Sequence, residues 1–261
     1  MNFFVTLNLL CTKLMTFPKA MIVNQMDAYD ILVAVLSANP TVANFKVFTP
    51  KLAPLLLQRA HLADDEIELV KEAQSLKLET SLPFWDAVMT TAMRSNTPPT
   101  GILQAATYHN PIAENVETLT TRGISAEALR CMEVNLPSDK ILAVASRVQC
   151  IDGTHRHIPQ IDFHCADSAA SRALAFSLLE TLKIRGYLLS SGKSFHFYGI
   201  DLLHENDLAK FLGRVLLFSP IVDRAWIAHQ LIEGQSALRL SSRPGYGSRP
   251  QLVAEVGGPF A

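Results

Sequence analysis

The chain has 261 residues, of which 49% are hydrophobic and 18% are charged, and its formal net charge is −1. A chain of this length and hydrophobicity can bury a large core, which excludes intrinsic disorder. The near-zero charge argues against a protein that coats nucleic acid through bulk electrostatics, although it is compatible with a local basic strip. The four cysteines are widely spaced, so we expect reduced thiols and neither a zinc knuckle nor a disulfide framework.

Residues 1–25 form an amino-terminal extension with no predicted structural role. Their short apolar run lacks a preceding positive segment, and no apolar stretch of about 18 residues follows it. Met15, Met21 and Met26 could each be the start of the chain. We therefore expect a cytoplasmic protein that is neither exported nor inserted in a membrane.

Residues 26–135 have a helical pattern and are predicted to form a helical module. Apolar residues fill 27–36, and an acidic cluster at residues 64–66 opens a segment with apolar residues at helical spacing. Pro- and Gly-containing breaks separate three further predicted helices, at 50–60, 82–94 and 125–132. No residue of this module forms a recognisable catalytic or metal-binding motif.

Residues 136–261 are predicted to form an α+β domain with a mainly antiparallel sheet. An alternating strand over 141–150 is followed by the turn Asp152-Gly153 and a second strand over 157–164. A helix is predicted from its N-cap Ser168 to Arg185, with Gly186 as the stop. The remaining predicted elements are a hairpin over 187–199, helices over 205–218 and 223–233, and strands over 237–241 and 251–256.

Two segments of this domain carry polar side chains on strands. Strand alternation places Asp162 and His164 on one face, and a carboxylate beside an imidazole is suited to a divalent metal. Ser194 and His196 share a face after a turn whose Lys193 and backbone N–H groups are suited to a phosphate. An ordinary polar strand end explains the first pattern equally well, and an exposed hairpin explains the second.

A third segment is Val222-Asp223, at the start of a predicted helix. Asp223 supplies a second carboxylate or serves only as the helix N-cap. The arginines around and after it are suited to phosphates, or belong to a solvated surface: Arg224, Arg239, Arg243 and Arg249. From Lys183 onward nine Lys and Arg residues stand against six Asp and Glu residues, so this end of the chain is mildly basic.

The order of these segments resembles that of the archaeo-eukaryotic primase superfamily: an acidic residue on a strand, Ser-x-His on a second strand, and a hydrophobic residue followed by Asp. The resemblance covers residues 141–256. It implies an RNA-recognition-like sheet with flanking helices, in which carboxylates hold Mg²⁺ or Mn²⁺ and the histidine contacts nucleotide phosphates. The expected catalytic and metal-binding residues are Asp162, His164 and Asp223, and the expected nucleotide-binding residues are Lys193, Ser194, His196 and Arg239.

The first motif departs from the family pattern of two acidic residues two positions apart, because His164 occupies the second position. Imidazole is a poor ligand for Mg²⁺ and suits Mn²⁺ or Zn²⁺ better. We expect a primase-polymerase-like protein that binds nucleoside triphosphate and DNA or RNA, with metal-dependent primer synthesis in replication or repair as its reaction.

Two alternatives stay open. One is a catalytically degenerate module that binds nucleic acid or protein, which the loss of a carboxylate and the near-neutral charge favour. The other is a metal-dependent hydrolase built on the histidines after residue 150, although no H-E-x-x-H spacing is present.

Overall fold

The computed structural model describes residues 26–50, 62–80, 82–95, 98–106, 116–243 and 247–257. In these ranges helices surround two sheets whose strand pairs are all antiparallel, which confirms the predicted α+β class. The predicted amino-terminal extension and nearly all of the predicted helix over 50–60 lie outside the described residues. Within the described ranges, none of the helices combines the length and apolarity needed to cross a membrane.

The helices are α1 (Ala28–Ala38), α2 (Asp64–Thr80), α3 (Phe84–Ser95), α4 (Thr100–Ala106), α5 (Ala126–Val134), α6 (Ala169–Leu182), α7 (Leu208–Leu216) and α8 (Arg224–Glu233). The strands are β1 (Val42–Phe48), β2 (Val116–Thr120), β3 (Ala143–Ala145), β4 (Arg147–Cys150), β5 (His155–His157), β6 (Gln160–Asp162), β7 (Gly186–Ser190), β8 (Phe195–Gly199), β9 (Leu203–His204), β10 (Ala237–Arg239) and β11 (Gln251–Val256). The larger sheet has the order β10-β3-β1-β4-β5-β9, with β2 also paired to β1, and the smaller sheet has the order β11-β7-β8-β6.

The prediction that residues 26–135 are helical is wrong at β1 and β2. Strand β1 pairs with β2, β3 and β4, so the larger sheet joins residues on both sides of the boundary predicted at residue 135. Helices α2, α3 and α4 lie between β1 and β2 in the chain and form an insertion with its own apolar cluster. Long-range pairing with β3 and β4 decides the conformation of β1, and the helical context of its neighbours does not reveal that pairing.

Two predicted strands are divided in the structure. The strand over 141–150 is broken at Ser146, whose backbone N–H donates to the carbonyl oxygen of Ser236. The strand over 157–164 is broken at Pro159, because proline has no N–H for a sheet and its carbonyl accepts from Gly199 instead. At this break the chain passes from the larger sheet to the smaller one.

Helix α6 begins as predicted, since the hydroxyl of Ser168 accepts from the backbone N–H of Ser171 at 3.2 Å. It ends at Leu182, earlier than predicted, because Lys183 adopts a left-handed conformation with φ 55°. Gly186 is not the stop. It begins β7, where a Cβ would collide with the carbonyl oxygen of Tyr198 on β8.

The smaller sheet is covered on both faces. Ile161, Phe195 and Phe197 pack in an apolar cluster with α6, α7 and α8. On the opposite face, Leu189 and Tyr198 pack in a second cluster with α1 and the larger sheet. Strand alternation places Asp162 and His196 on this second face, toward the larger sheet.

Candidate functional site

A polar cleft of about 450 Å³ opens where β6 and β8 of the smaller sheet approach β10 of the larger sheet. The residues predicted for the site all line this cleft, and they are Asp162, His164, Lys193, Ser194, His196, Asp223 and Arg239. The structure therefore brings together residues that lie up to 77 positions apart in the sequence. Their roles stay predictions.

Asp162 is the last residue of β6 and lies opposite His196 of β8 in the sheet register. One Asp162 carboxylate oxygen lies 3.6 Å from Nε2 of His196, and the aspartate side chain is 26% exposed. Burial, and then the negative charge of Asp223, raise the pKa of Asp162 to about 8. The neutral form is thus favoured at pH 7, and a cation in the cleft would favour the ionised form.

His196 is only 6% exposed. Burial, together with the nearby Arg239 guanidinium, lowers its pKa to about 3, so the imidazole is neutral. Its Nδ1 atom is buried and has no hydrogen-bond partner among the described residues. Leaving such an atom unpaired costs about 1–3 kcal/mol, and a ligand in the cleft that hydrogen-bonds to it would remove this cost.

Asp223 has two roles in the structure. It is the N-cap of α8, because its Oδ1 accepts from the backbone N–H of Trp226 at 2.9 Å, and its own N–H donates to the carbonyl oxygen of Asp162. Its Oδ2 lies in the cleft, 3.8 Å from Nδ1 of His164. The helix-cap interpretation is therefore correct, and Asp223 also lines the cleft.

The two groups of this pair affect each other's ionisation. Burial alone would raise the pKa of Asp223, but His164 and the Trp226 N–H outweigh burial and lower it. The interaction with Asp223 raises the pKa of His164. Both shifts favour a positively charged His164 beside a negatively charged Asp223.

Arg239 of β10 is a buried cation, with 8% of its surface exposed. Its guanidinium donates to the carbonyl oxygens of Ser191, at 2.8 Å, and of Ser241. In the part of the chain that the structure describes, no carboxylate lies within ion-pair distance of it. A buried guanidinium held only by carbonyl oxygens retains its positive charge for an anion in the cleft.

Ser194 and Lys193, which are also predicted to bind the nucleotide, lie in different surroundings. The Ser194 hydroxyl donates to the carbonyl oxygen of Phe163 at 2.6 Å, so its proton already has a partner within the protein. Lys193 is exposed on the turn between β7 and β8, where Gly192 has φ 98°.

The remaining arginines separate into two groups. Arg243 lines the cleft, whereas Arg224 forms an ion pair with Asp86 of α3. Arg249 forms ion pairs with Glu133 and with Asp27 and does not line the cleft.

One charged residue of the cleft was missed by sequence reasoning. Lys77, in the last turn of α2, lines the cleft. A lysine at this position is already explained by the helix dipole, so the sequence carries no signal for its place in the site.

Among the described residues, no group of three or more His, Cys, Asp or Glu side chains is arranged to hold a metal ion. A preformed cage of the kind that zinc requires is therefore absent from these ranges, and the hydrolase alternative gains no support. Mg²⁺ is commonly held by one or two carboxylates together with substrate phosphates and water. Asp162 and Asp223 fit that requirement, since they line one cleft and the charge of Asp223 acts on Asp162.

The fold and the cleft together define the class. An acidic residue and a Ser-x-His segment lie on neighbouring antiparallel strands, and an aspartate at the following helix start joins them, as in the archaeo-eukaryotic primase superfamily. The AEP-like family, described as archaeo-eukaryotic primase 1D-like, matches residues 120–250, which is half of the chain, and the chain belongs to this family. Every residue predicted for the site lies within the match, whereas Lys77 lies outside it. Comparison with curated proteins and with solved structures gave no match.

Proposed function

We propose that the protein binds a nucleoside triphosphate in the cleft and transfers its nucleotidyl group to the end of a DNA or RNA primer. The observation that carries this proposal is that two buried polar side chains of the cleft each lack a partner of the kind that a phosphate could supply. His196 has an unpaired Nδ1, and Arg239 lacks a carboxylate partner within the described ranges. A phosphate chain supplies both an acceptor for a neutral imidazole N–H and negative charge for a guanidinium.

Asp162 and Asp223 are the residues that would hold Mg²⁺ or Mn²⁺. The cation, when bound, supplies Lewis-acid activation and neutralises charge on the phosphates. Because the described residues offer two carboxylates and no larger cage, a cation held by Asp162 and Asp223 would need further oxygen ligands, which nucleotide phosphates could supply. We therefore expect cation binding to depend on the nucleotide.

In the proposed reaction, the primer 3′ hydroxyl gives up its proton to solvent and its oxygen attacks the α-phosphate. A new P–O bond forms, and the bond to the pyrophosphate leaving group breaks. The part of this chain is to hold the phosphates through His196 and Arg239 and so to orient the α-phosphate toward the primer. Restricting the reactants in this way lowers the entropic part of the barrier.

A second candidate is a protein that binds nucleotide or nucleic acid without transfer. The observation that favours it is the ion pair between His164 and Asp223, 3.8 Å apart. A protonated His164 cancels part of the negative charge that a second cation would need. The loss of the second acidic residue therefore weakens catalysis more than nucleotide binding.

Primer extension distinguishes the two candidates. The intact protein, an Asp162→Asn variant and a His204→Ala control are incubated with a labelled primer–template, all four nucleoside triphosphates, and Mg²⁺ or Mn²⁺. His204 is exposed on β9 and does not line the cleft. We expect extension by the intact protein and the control, and loss of extension in Asp162→Asn.

The other outcomes are equally informative. Nucleotide binding without extension, under either cation, selects the second candidate. If the intact protein binds neither a nucleoside triphosphate nor the primer–template and extends no primer, both candidates are excluded.

A further inference from the structure

The helical insertion brings a cation to a cleft that the two sheets otherwise build. We propose that the insertion is part of the nucleotide site: Lys77 contacts the phosphate chain, and the ion pair between Asp86 and Arg224 holds the insertion in place for this contact. This inference rests on the proposed function, and it assigns a role to a part of the chain outside the family match.

The first observation is the position of Lys77. It lies in the last turn of α2 and lines the same cleft as Asp162 and His164, although α2 belongs to neither sheet. Lys77 is exposed, and a lysine carries its charge on a long flexible stem. It can therefore follow a ligand at little desolvation cost.

The second observation is how the insertion is attached. Its apolar cluster consists of residues from the insertion alone, which are Leu69, Val70, Ala73, Ala87, Val88, Ala92 and Ile102. Apolar packing in this cluster stabilises the three helices but does not fix them to the sheets. The ion pair of Asp86 on α3 with Arg224 does join them to α8.

Arg224 directly follows Asp223 in the sequence. The ion pair between Asp86 and Arg224, which we call the clamp, therefore lies at the start of α8, directly after the cleft residue Asp223. A substitution of Asp86 should therefore alter ligand binding in the cleft, although Asp86 itself does not line the cleft.

The third observation is the charge of the lining. Four cationic side chains line the cleft against two aspartates, and they are Lys77, Lys193, Arg239 and Arg243. A lining of net positive charge is suited to a ligand with several negative charges, as a triphosphate has.

The test measures binding of ATP with Mg²⁺ by calorimetry at 0.1 M salt, with adenosine as the uncharged probe. We expect Lys77→Ala to weaken ATP binding about fivefold and to leave adenosine binding unchanged, because the lost contact is electrostatic and partly screened. At 1 M salt the difference from the intact protein should disappear. The matched control is Lys71→Ala, since Lys71 lies on the same helix, is paired with Glu68 and does not line the cleft.

A second set of variants tests the clamp. Asp86→Asn should weaken ATP binding about threefold through loss of the ion pair, and should have no further effect when Lys77→Ala is already present. Additive losses would overturn the clamp, because they would show that Asp86 acts independently of Lys77.

The remaining outcomes separate the two proposals. If the intact protein binds ATP and Lys77→Ala binds it equally well, this inference is wrong and the proposed function stands. If Lys77→Ala weakens binding of an oligonucleotide but not of ATP, Lys77 belongs to a nucleic-acid contact and the inference is also wrong. If the intact protein binds no ATP, the proposed function fails and the inference fails with it.

Discussion

Two regions of the molecule contain a buried histidine, and they differ in whether the Nδ1 atom of that histidine has a hydrogen-bond partner among the described residues. In the first, which we call the buried network, Nδ1 of His157 lies 2.9 Å from the Ser146 hydroxyl, and that hydroxyl also accepts from the N–H of Ser236. The Ser236 hydroxyl in turn donates to Gln160. In the cleft, Nδ1 of His196 has no partner among the described residues.

We expect this difference to distinguish a histidine that stabilises the fold from one that binds a ligand. Both histidines are buried, and burial lowers the pKa of both, to about 4 for His157 and about 3 for His196. A histidine whose hydrogen bonds are complete contributes to stability, whereas one with a buried unpaired nitrogen reduces stability until a ligand completes it. Burial alone therefore does not identify a binding site.

The largest effect is expected from His157→Leu in the buried network. The change removes the imidazole nitrogen that pairs with the buried Ser146 hydroxyl and leaves that hydroxyl only its contact with the Ser236 N–H. We therefore expect the free energy of unfolding to fall by about 2–3 kcal/mol. Urea unfolding of the variant beside the intact protein measures this. The ATP affinity of the folded variant should be unchanged. A loss of stability below about 1 kcal/mol would show that the hydrogen bond of His157 does not stabilise the fold.

The corresponding change in the cleft, His196→Leu, should have the opposite effect on stability. It replaces an unpaired buried nitrogen by apolar surface, so we expect the free energy of unfolding to stay the same or to rise by up to about 1 kcal/mol. ATP affinity should fall at least about tenfold, which is about 1.4 kcal/mol. A variant that loses stability as His157→Leu does, and still binds ATP, would place His196 with the structural histidines.

The shifted pKa values of the two histidines and of Asp162 also make the free energy of unfolding depend on pH. The pKa values of both histidines are lowered in the folded state, so their contribution to stability is complete above pH 6.5 and is lost as the pH falls from 6.5 toward about 4 for His157 and about 3 for His196. The pKa of Asp162 is raised to about 8, so its contribution is lost as the pH rises from its ordinary value of 3.8 toward 8. Each group changes the free energy of unfolding by at most about 1.4 kcal/mol per pH unit.

The Asp162→Asn variant tests the loss of stability that we expect from Asp162 as the pH rises. Between pH 6.5 and 8 we expect the variant to lose less stability than the intact protein, while both should lose stability in acid. Urea unfolding at about pH 5, 6.5 and 8 measures the difference between the two curves. Parallel curves would show that Asp162 ionises without cost in the folded protein.

The smallest effect is expected at Ser194. Because its hydroxyl donates to the Phe163 carbonyl, it belongs with the satisfied groups although it lines the cleft. Ser194→Ala should reduce the free energy of unfolding by about 1 kcal/mol and weaken ATP binding less than about threefold. A loss of affinity equal to that of His196→Leu would show that Ser194 contacts the nucleotide directly.

Much of the cleft was predictable from the sequence because it depends on local rules. Strand alternation fixed the faces of Asp162 and His196, and the hairpin turn at residues 191–193 set the position of β8. The side-chain cap at Asp223 fixed the start of α8. These local patterns, in the order of a known family, were sufficient to gather the predicted residues.

The parts that could not be predicted depend on contacts between distant residues. The sequence alone describes Arg224 as suited to a phosphate or to a solvated surface. Its partner in the structure is Asp86, which lies 138 positions away in the chain. Arg249 is paired with Glu133, 116 positions away. The place of β1 in the larger sheet depends on pairing with strands about 100 residues later, and periodicity carries no information on such pairing.

We infer that the unpaired nitrogen of His196 marks the ligand site. ¹⁵N NMR of the histidine side chains during titration with ATP and Mg²⁺ observes this nitrogen itself. We expect the Nδ1 signal of His196 to shift on binding, as for a new hydrogen bond, and that of His157 to stay in place. An unchanged His196 signal with ATP bound would show that this nitrogen does not contact the nucleotide.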